Sequence, residues 1–164
     1  MIPAILVALI LVPLTIFLHY EALRLIGEHL PGPPRLGWRW RLMGVVLACF
    51  ASHTVHVWLY AFAYLLLDKL HIGDFAGMAQ HDFVDYVYFS IVAYSTLGLG
   101  DVAPIGGIRL IAGVESLNGL VLVGWSASFT YLVMEAFWPL HGSHGWRRFR
   151  DMPRRPPDET GEAD

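Results

Sequence analysis

A short apolar stretch that ends in two closely spaced glycines constrains the fold of this chain more than any other feature. Residues 85–94 are apolar or aromatic apart from Asp85 and Ser90. This stretch is too short to cross a bilayer as a helix, which takes ~20 residues. The letters STLGLGD follow at residues 95–101, and a long apolar segment occupies residues 108–138. Because irregular backbone survives at membrane depth only where it is buried in protein or lines a watery path, the order predicts a re-entrant half-helix and loop.

The two glycines suit a loop that binds cations through its backbone. Glycine adopts positive φ without steric cost, so Gly98 and Gly100 let successive carbonyl groups point the same way. A ring of such carbonyl groups can replace the hydration shell of a monovalent cation. Thr96 can add its hydroxyl group, and Asp101 places a carboxylate at the mouth. The alternative interpretation is a plain glycine-rich turn between two membrane helices.

Residues 88–101, YFSIVAYSTLGLGD, resemble the pore helix and selectivity filter of the potassium-channel superfamily, whose usual filter reads TVGYGD. The resemblance implies an all-α membrane protein with an outer helix at 42–67, a pore helix at 85–95 and an inner helix at 108–138. It implies a homotetramer in a lipid bilayer, with K⁺ as the permeant ion and Na⁺ as the alternative. The filter residues that it implies are Thr96, Leu97, Gly98, Leu99 and Gly100, with Asp101 at the outer mouth.

This filter departs from the usual family pattern. Leu99 stands where the family usually has Tyr or Phe, Leu97 replaces Val, and Ser95 replaces a second Thr, although a GLG form occurs in some two-pore-domain potassium channels. Val92 occupies the place of a pore-helix acid that often bonds behind the filter. We therefore expect a filter held more by apolar packing than by a polar network, and weaker discrimination of K⁺ over Na⁺. The expected partners of the Leu99 side chain are Tyr88, Phe89 or Tyr94.

The rest of the chain reads as a single membrane domain. It has 164 residues, is 55% hydrophobic and has a mean hydropathy of +0.50. Residues 1–27 predict a transmembrane helix, with an uncleaved surface helix as the alternative; the features of a signal peptide are lacking. The further segments predicted are a basic loop at 28–41, a pore domain at 42–138 with a polar turret at 68–84, and a flexible tail at 139–164.

The charges of the connecting segments predict the orientation. Residues 35–41 contain three arginines, and the tail is basic from Arg147, whereas residues 68–85 contain four aspartates against Lys69. The positive-inside rule places the basic segments in the cytoplasm and the acidic turret outside. Three spans then leave the N-terminus outside and the C-terminus in the cytoplasm, in the cell (inner) membrane. A filter that enters from the outer face agrees with this orientation.

Three residues of the inner-helix segment are candidates for the cavity or for gating. Gly119 matches the place of a gating-hinge glycine in the family, and close packing against a neighbour is the equal alternative. Glu115 and Asn118 lie three apart on one helical face. We expect Asn118 to line the central cavity and Glu115 to hydrogen-bond behind the pore helix, with bonds between helices as the alternative for both.

His53 and His56 lie three apart on the outer helix. Two imidazoles could share a metal ion or sense protons, but two ligands do not close a site, so a hydrogen-bonded pair between helices is favoured. We expect no catalytic residue, no transition metal, no cofactor and no nucleic-acid partner. Besides a channel, the sequence leaves open a weakly selective cation channel, or a non-conducting membrane sensor or scaffold subunit that uses the same fold.

Overall fold

The computed structural model describes residues 2–29, 37–78 and 80–137, which are mostly helical. Three of the helices are long and apolar enough to cross a membrane, which confirms the predicted class of all-α membrane protein. The predicted tail at 139–164 lies outside the described residues. The elements are α1 (Ile2–His29), α2 (Trp38–Lys69), β1 (Gly73–Ala76), α3 (Phe83–Tyr94), β2 (Ala103–Gly106) and α4 (Ile108–Phe137).

The pore helix α3 begins slightly earlier than the sequence predicts. The carboxylate of Asp82 accepts a hydrogen bond of 2.9 Å from the backbone N–H of Asp85, which caps the first turn. At the other end, Ser95 lies outside the helix, and its hydroxyl group donates to the carbonyl oxygen of Ile91 at 2.7 Å. The helix therefore has a local start signal at Asp82 and a local stop signal at Ser95. Its 12 residues are too few to cross a bilayer.

The predicted basic loop at 28–41 is corrected at its end. Helix α2 begins at Trp38, with Gly37 preceding it, so the arginines at 39 and 41 belong to the first turns of the helix. Arginine is a good helix former, and no proline follows Pro34 until Pro104, so nothing local stops the helix from starting there. The rest of that loop, at residues 30–36, lies outside the described residues.

A small two-stranded sheet, which the sequence did not indicate, has one strand in the predicted turret and the other after the loop at 95–101. Strand β1 pairs antiparallel with β2, and Phe75 lies opposite Pro104 in the register. The sheet therefore joins the segment before α3 to the segment after the loop at 95–101. At Gly77, where φ is +84°, an added Cβ would collide with the backbone carbonyl oxygen of Asp101. The turret backbone thus packs directly against the end of that loop.

An aromatic cluster anchors this sheet on the helices. Phe75 of β1 packs edge-on against Phe89 of α3 and Tyr64 of α2, with ring centroids 5.0 and 5.7 Å apart. Tyr86 adds a further edge-on contact at 5.6 Å. These rings are buried, and each pair contributes ~0.5–1.5 kcal/mol beyond the burial of its area. The cluster therefore fixes the position of α3 relative to α2 and to strand β1.

Candidate functional site

The loop at residues 95–101 has an alternating backbone conformation. Gly98 and Gly100 have φ values of +58° and +79°, as the glycine spacing predicts. Thr96 also lies in the left-handed region, with φ of +59°, which is rare for a β-branched residue. Positive φ therefore recurs at every second residue. Strain of this kind persists only where the surrounding structure imposes it, and it concentrates at functional sites.

The loop is tied to the last turn of α3 by its own backbone. The carbonyl oxygen of Val92 accepts hydrogen bonds from the N–H groups of Leu97 and Gly98, at 3.0 and 3.4 Å. The hydroxyl group of Ser116, on α4, donates to the carbonyl oxygen of Ala93 at 2.8 Å. Within the described parts of the chain, no hydrogen bond reaches the carbonyl oxygens of residues 96–100. Those oxygens are available to a ligand.

The side chains of the loop are directed away from the protein core. Leu97 and Leu99 are 63% and 57% exposed in the single chain. Two of the aromatic residues expected to pack against Leu99 have other partners: Phe89 lies in the aromatic cluster, and Tyr94 bonds to histidines of α2. The loop is therefore positioned by its backbone and not by burial of its own side chains within the chain.

A hydrogen bond between two side chains closes the C-terminal end of the loop. The hydroxyl group of Tyr88 donates to Oδ2 of Asp101 at 2.6 Å. This bond favours the ionised carboxylate and lowers the pKa of Asp101 below its usual value of 3.8. The same bond raises the pKa of the Tyr88 hydroxyl group. Asp101 therefore carries its negative charge at the mouth of the loop throughout the ordinary pH range.

Glu115 hydrogen-bonds behind the pore helix, as predicted. It is fully buried, its Oε1 lies 2.5 Å from the Ser90 hydroxyl group, and its Oε2 accepts a bond from the Tyr64 hydroxyl group. Residues of α2, α3 and α4 thus meet at one carboxyl group. These bonds hold the pore helix and do not reach the loop at residues 96–100, so the expectation that apolar packing supports that loop stays a prediction. Val92, at the place of the usual acid, is buried and apolar.

The predicted cavity-lining role of Asn118 is wrong. Its side chain is 6% exposed, and its amide group donates to the hydroxyl oxygens of Thr15 and Tyr60, at 2.7 and 3.1 Å. These partners lie on α1 and α2. Asn118 therefore satisfies its amide between helices, because an unpaired amide group within an apolar bundle costs free energy.

Gly119 lies where the inner helix α4 packs closely against the end of the pore helix α3. An added Cβ would collide with the backbone carbonyl oxygen of Tyr94, at the end of α3. Helix α4 runs without interruption from Ile108 to Phe137. The geometry accordingly favours close packing over the hinge role for this glycine.

His53 and His56 bond between helices, as favoured from the sequence, and both reach the hydroxyl group of Tyr94 on α3, at 2.9 and 3.2 Å. A third imidazole, His19 on α1, joins this group at 5.1 Å from His53 between ring centroids, and it was not predicted from the sequence. One signal could have found it. Thr15 and His19 are polar residues spaced four apart at the end of the long apolar run of α1, and so share one face.

The chain matches one known protein family over most of the helices and the loop described above. A family model described as "Ion channel" matches residues 45–136, which include most of α2, the turret, α3, the loop and nearly all of α4. Neither the curated proteins nor the solved structures contain a significant match.

The contact between Gly119 and Tyr94 generates a stability prediction. Gly119→Ala is expected to lower the free energy of unfolding by ~1–3 kcal/mol, the usual cost of overpacking, because the new methyl group meets a backbone atom that cannot rotate away. Gly113→Ala and Gly124→Ala are matched controls on the same helix, since an added Cβ at either meets nothing within 4 Å. Thermal unfolding in detergent measures the difference. Equal melting temperatures for the three variants would contradict the packing role.

Proposed function

This chain belongs to the ion channel family, and on that premise we propose that it forms a homotetrameric pore that conducts monovalent cations passively, with K⁺ preferred. The family supports passive ion conduction by a multi-pass membrane protein. The proposed filter consists of Thr96, Leu97, Gly98, Leu99 and Gly100.

The alternating backbone of the loop is the observation that carries this proposal. Positive φ at residues 96, 98 and 100 rotates successive peptide groups so that their carbonyl oxygens can face one side. In a strand, successive carbonyl groups would face opposite sides. A row of carbonyl oxygens on one side, repeated around an axis, is the arrangement that replaces the water shell of K⁺ or Na⁺.

The proposed tetramer follows from the single loop in each chain. One copy of residues 96–100 can line only one side of an ion path. A closed filter therefore needs several copies of the chain around an axis. Cyclic symmetry is the ordinary way for identical chains to enclose an axis. The number four comes from the resemblance to the potassium-channel superfamily.

The charges of the mouth support a cation pathway with the loop on the outer face. Asp101 lies beside the end of the loop, with Tyr88 holding its carboxylate, and a ring of such groups would concentrate cations by their negative field. We assign the turret to the outside and the arginines at the start of α2 to the cytoplasm. The N-terminus is then outside and the C-terminus inside the cell (inner) membrane.

Two alternatives predict different ion fluxes. Leu99 cannot supply the hydroxyl group of the usual Tyr, which favours a modest preference for K⁺ over Na⁺; equal permeability would identify a weakly selective cation channel. A non-conducting sensor or scaffold subunit would show no flux of either ion in liposomes at any pH or voltage. The open carbonyl oxygens at 96–100 favour conduction over the scaffold.

Replacing a filter glycine tests the proposal. Gly98→Ala is expected to reduce K⁺ flux into liposomes ~10-fold or more, because positive φ costs an L-residue ~1–2 kcal/mol in every chain of the ring. Gly44→Ala is the matched control. An added Cβ meets nothing within 4 Å at either position, and of these two glycines Gly98 has positive φ while Gly44 does not. A D-alanine at residue 98, which favours positive φ, is expected to restore flux. Unchanged flux through folded Gly98→Ala protein would contradict the filter assignment.

The bond between Tyr88 and Asp101 predicts a pH dependence. In the wild-type protein Asp101 loses its charge only below its usual pKa of 3.8, because the Tyr88 hydroxyl group stabilises the carboxylate. Tyr88→Phe removes that donor, so the pKa of Asp101 rises, and block of inward K⁺ current by external acid begins at higher pH. Tyr131→Phe, at another exposed tyrosine, is the control. Identical acid-block curves for Tyr88→Phe and wild-type protein would contradict the role of this bond.

A further inference from the structure

Three imidazoles meet in the interior of the helix bundle, on the side of α2 that faces α1. His19 of α1 lies 5.1 Å from His53 and 5.4 Å from His56 between ring centroids, and the two α2 rings are 6.0 Å apart. One ring nitrogen from each histidine falls within 4.8 Å of the others. His19 and His56 are fully buried, and His53 is half-buried.

Hydroxyl groups connect these rings. Ser126 of α4 bridges Nε2 of His19 and Nε2 of His53, at 3.1 and 3.0 Å. The Tyr94 hydroxyl group bridges Nδ1 of His53 and Nδ1 of His56, and Nδ1 of His19 lies 3.3 Å from the hydroxyl group of Ser52. The rings are thus held in place by α2, α3 and α4.

One nitrogen of this group has no hydrogen-bond partner. Nε2 of His56 is buried, and no hydrogen bond reaches it from the described residues. Whichever tautomer His56 adopts, this atom is left as an unpaired donor or an unpaired lone pair, and an unsatisfied buried polar atom costs ~1–3 kcal/mol. A buried orphan atom beside two further imidazoles is the kind of exception that calls for a ligand.

We propose that His19, His53 and His56 form an intramembrane binding site for a divalent transition-metal ion such as Zn²⁺, which joins α1 to the pore module. Neutral imidazole is a preferred ligand of Zn²⁺ and Cu²⁺, and three protein ligands with one open position are a standard zinc arrangement. Ligation at ~2.0–2.1 Å requires the three nitrogens, which lie within 4.8 Å of one another, to draw closer together around the ion.

Two neighbouring features complete the site. The Tyr94 hydroxyl oxygen, already bonded to two of the histidines, is placed to supply the fourth ligand. A surface groove of about 520 Å³ between α2 and α4 is lined by both His53 and Ser126, so the group of histidines adjoins the surface of the single chain there. Sequence alone supplies only the two histidines of α2, which is too few for a closed site.

Metal binding to the full-length protein tests the proposal directly. The protein is purified in detergent, stripped with a chelator and titrated with Zn²⁺, and bound metal is counted by mass spectrometry; Co²⁺ serves as a coloured probe of tetrahedral nitrogen ligation. One ion per chain is expected. His19→Gln, His53→Gln and His56→Gln are each expected to weaken binding ~10-fold or more, as loss of even an outer-shell partner commonly does. The wild-type melting temperature is expected to rise with Zn²⁺.

The turret provides a matched control, because Asp68, Asp74 and His81 form a second, exposed group that could attract metal. His81→Gln is expected to leave the stoichiometry and affinity unchanged. The proposal is overturned if folded wild-type protein binds no stoichiometric Zn²⁺, or if His81→Gln removes binding while His19→Gln does not. Because His19→Gln could loosen α1, its elution volume and melting temperature without metal are measured alongside, and the Zn²⁺-dependent rise in wild-type protein stands independently of any variant.

Discussion

The buried carboxyl group of Glu115 holds the pore helix between the two helices that flank it. Its two oxygens bond to Ser90 on α3 and Tyr64 on α2, so three elements share one polar contact in an apolar bundle. Removing any partner would leave a buried carboxyl oxygen unsatisfied, which costs far more than the bond itself contributes. A helix too short to span the bilayer needs such fixed points, because it has no exposed end in water on one side.

Helix α1 is bonded into the same polar framework. Thr15 accepts from Asn118, and His19 bonds to Ser126, so two side chains of α4 are satisfied by α1. Tyr94, the last residue of the pore helix, bonds to histidines of α2 on one side and presses its carbonyl group against Gly119 on the other. These bonds connect α1 through Ser126 and His53 to Tyr94, which directly precedes the loop at 95–101.

Much of the architecture could be predicted because local signals carry it. Long apolar segments predicted the three spans, Gly98 and Gly100 predicted positive φ, and the resemblance of residues 88–101 led to the ion channel family. The start of α2 was misjudged because arginine and tryptophan continue a helix as readily as a loop. The β1–β2 sheet was missed because neither strand has a pattern of its own, and only their pairing defines them.

The side-chain partners were harder to predict, since they join residues far apart in the sequence. Asn118 and Thr15 are separated by 103 positions, and no periodicity within α4 shows that the amide faces α1. Likewise, the pair at His53 and His56 was visible on one helix, but the third ring comes from another. A polar residue in an apolar span indicates that a partner exists; it does not indicate which helix supplies it.

We propose that backbone carbonyl groups at residues 96–100 select a monovalent cation. This proposal is tested most directly by the reversal potential of the reconstituted protein in a planar bilayer, with K⁺ on one side and Na⁺ on the other. A potential displaced toward the K⁺ equilibrium value, and displaced further by Leu99→Tyr, is the predicted result. A reversal potential at zero, or no current from folded tetrameric protein, would contradict it.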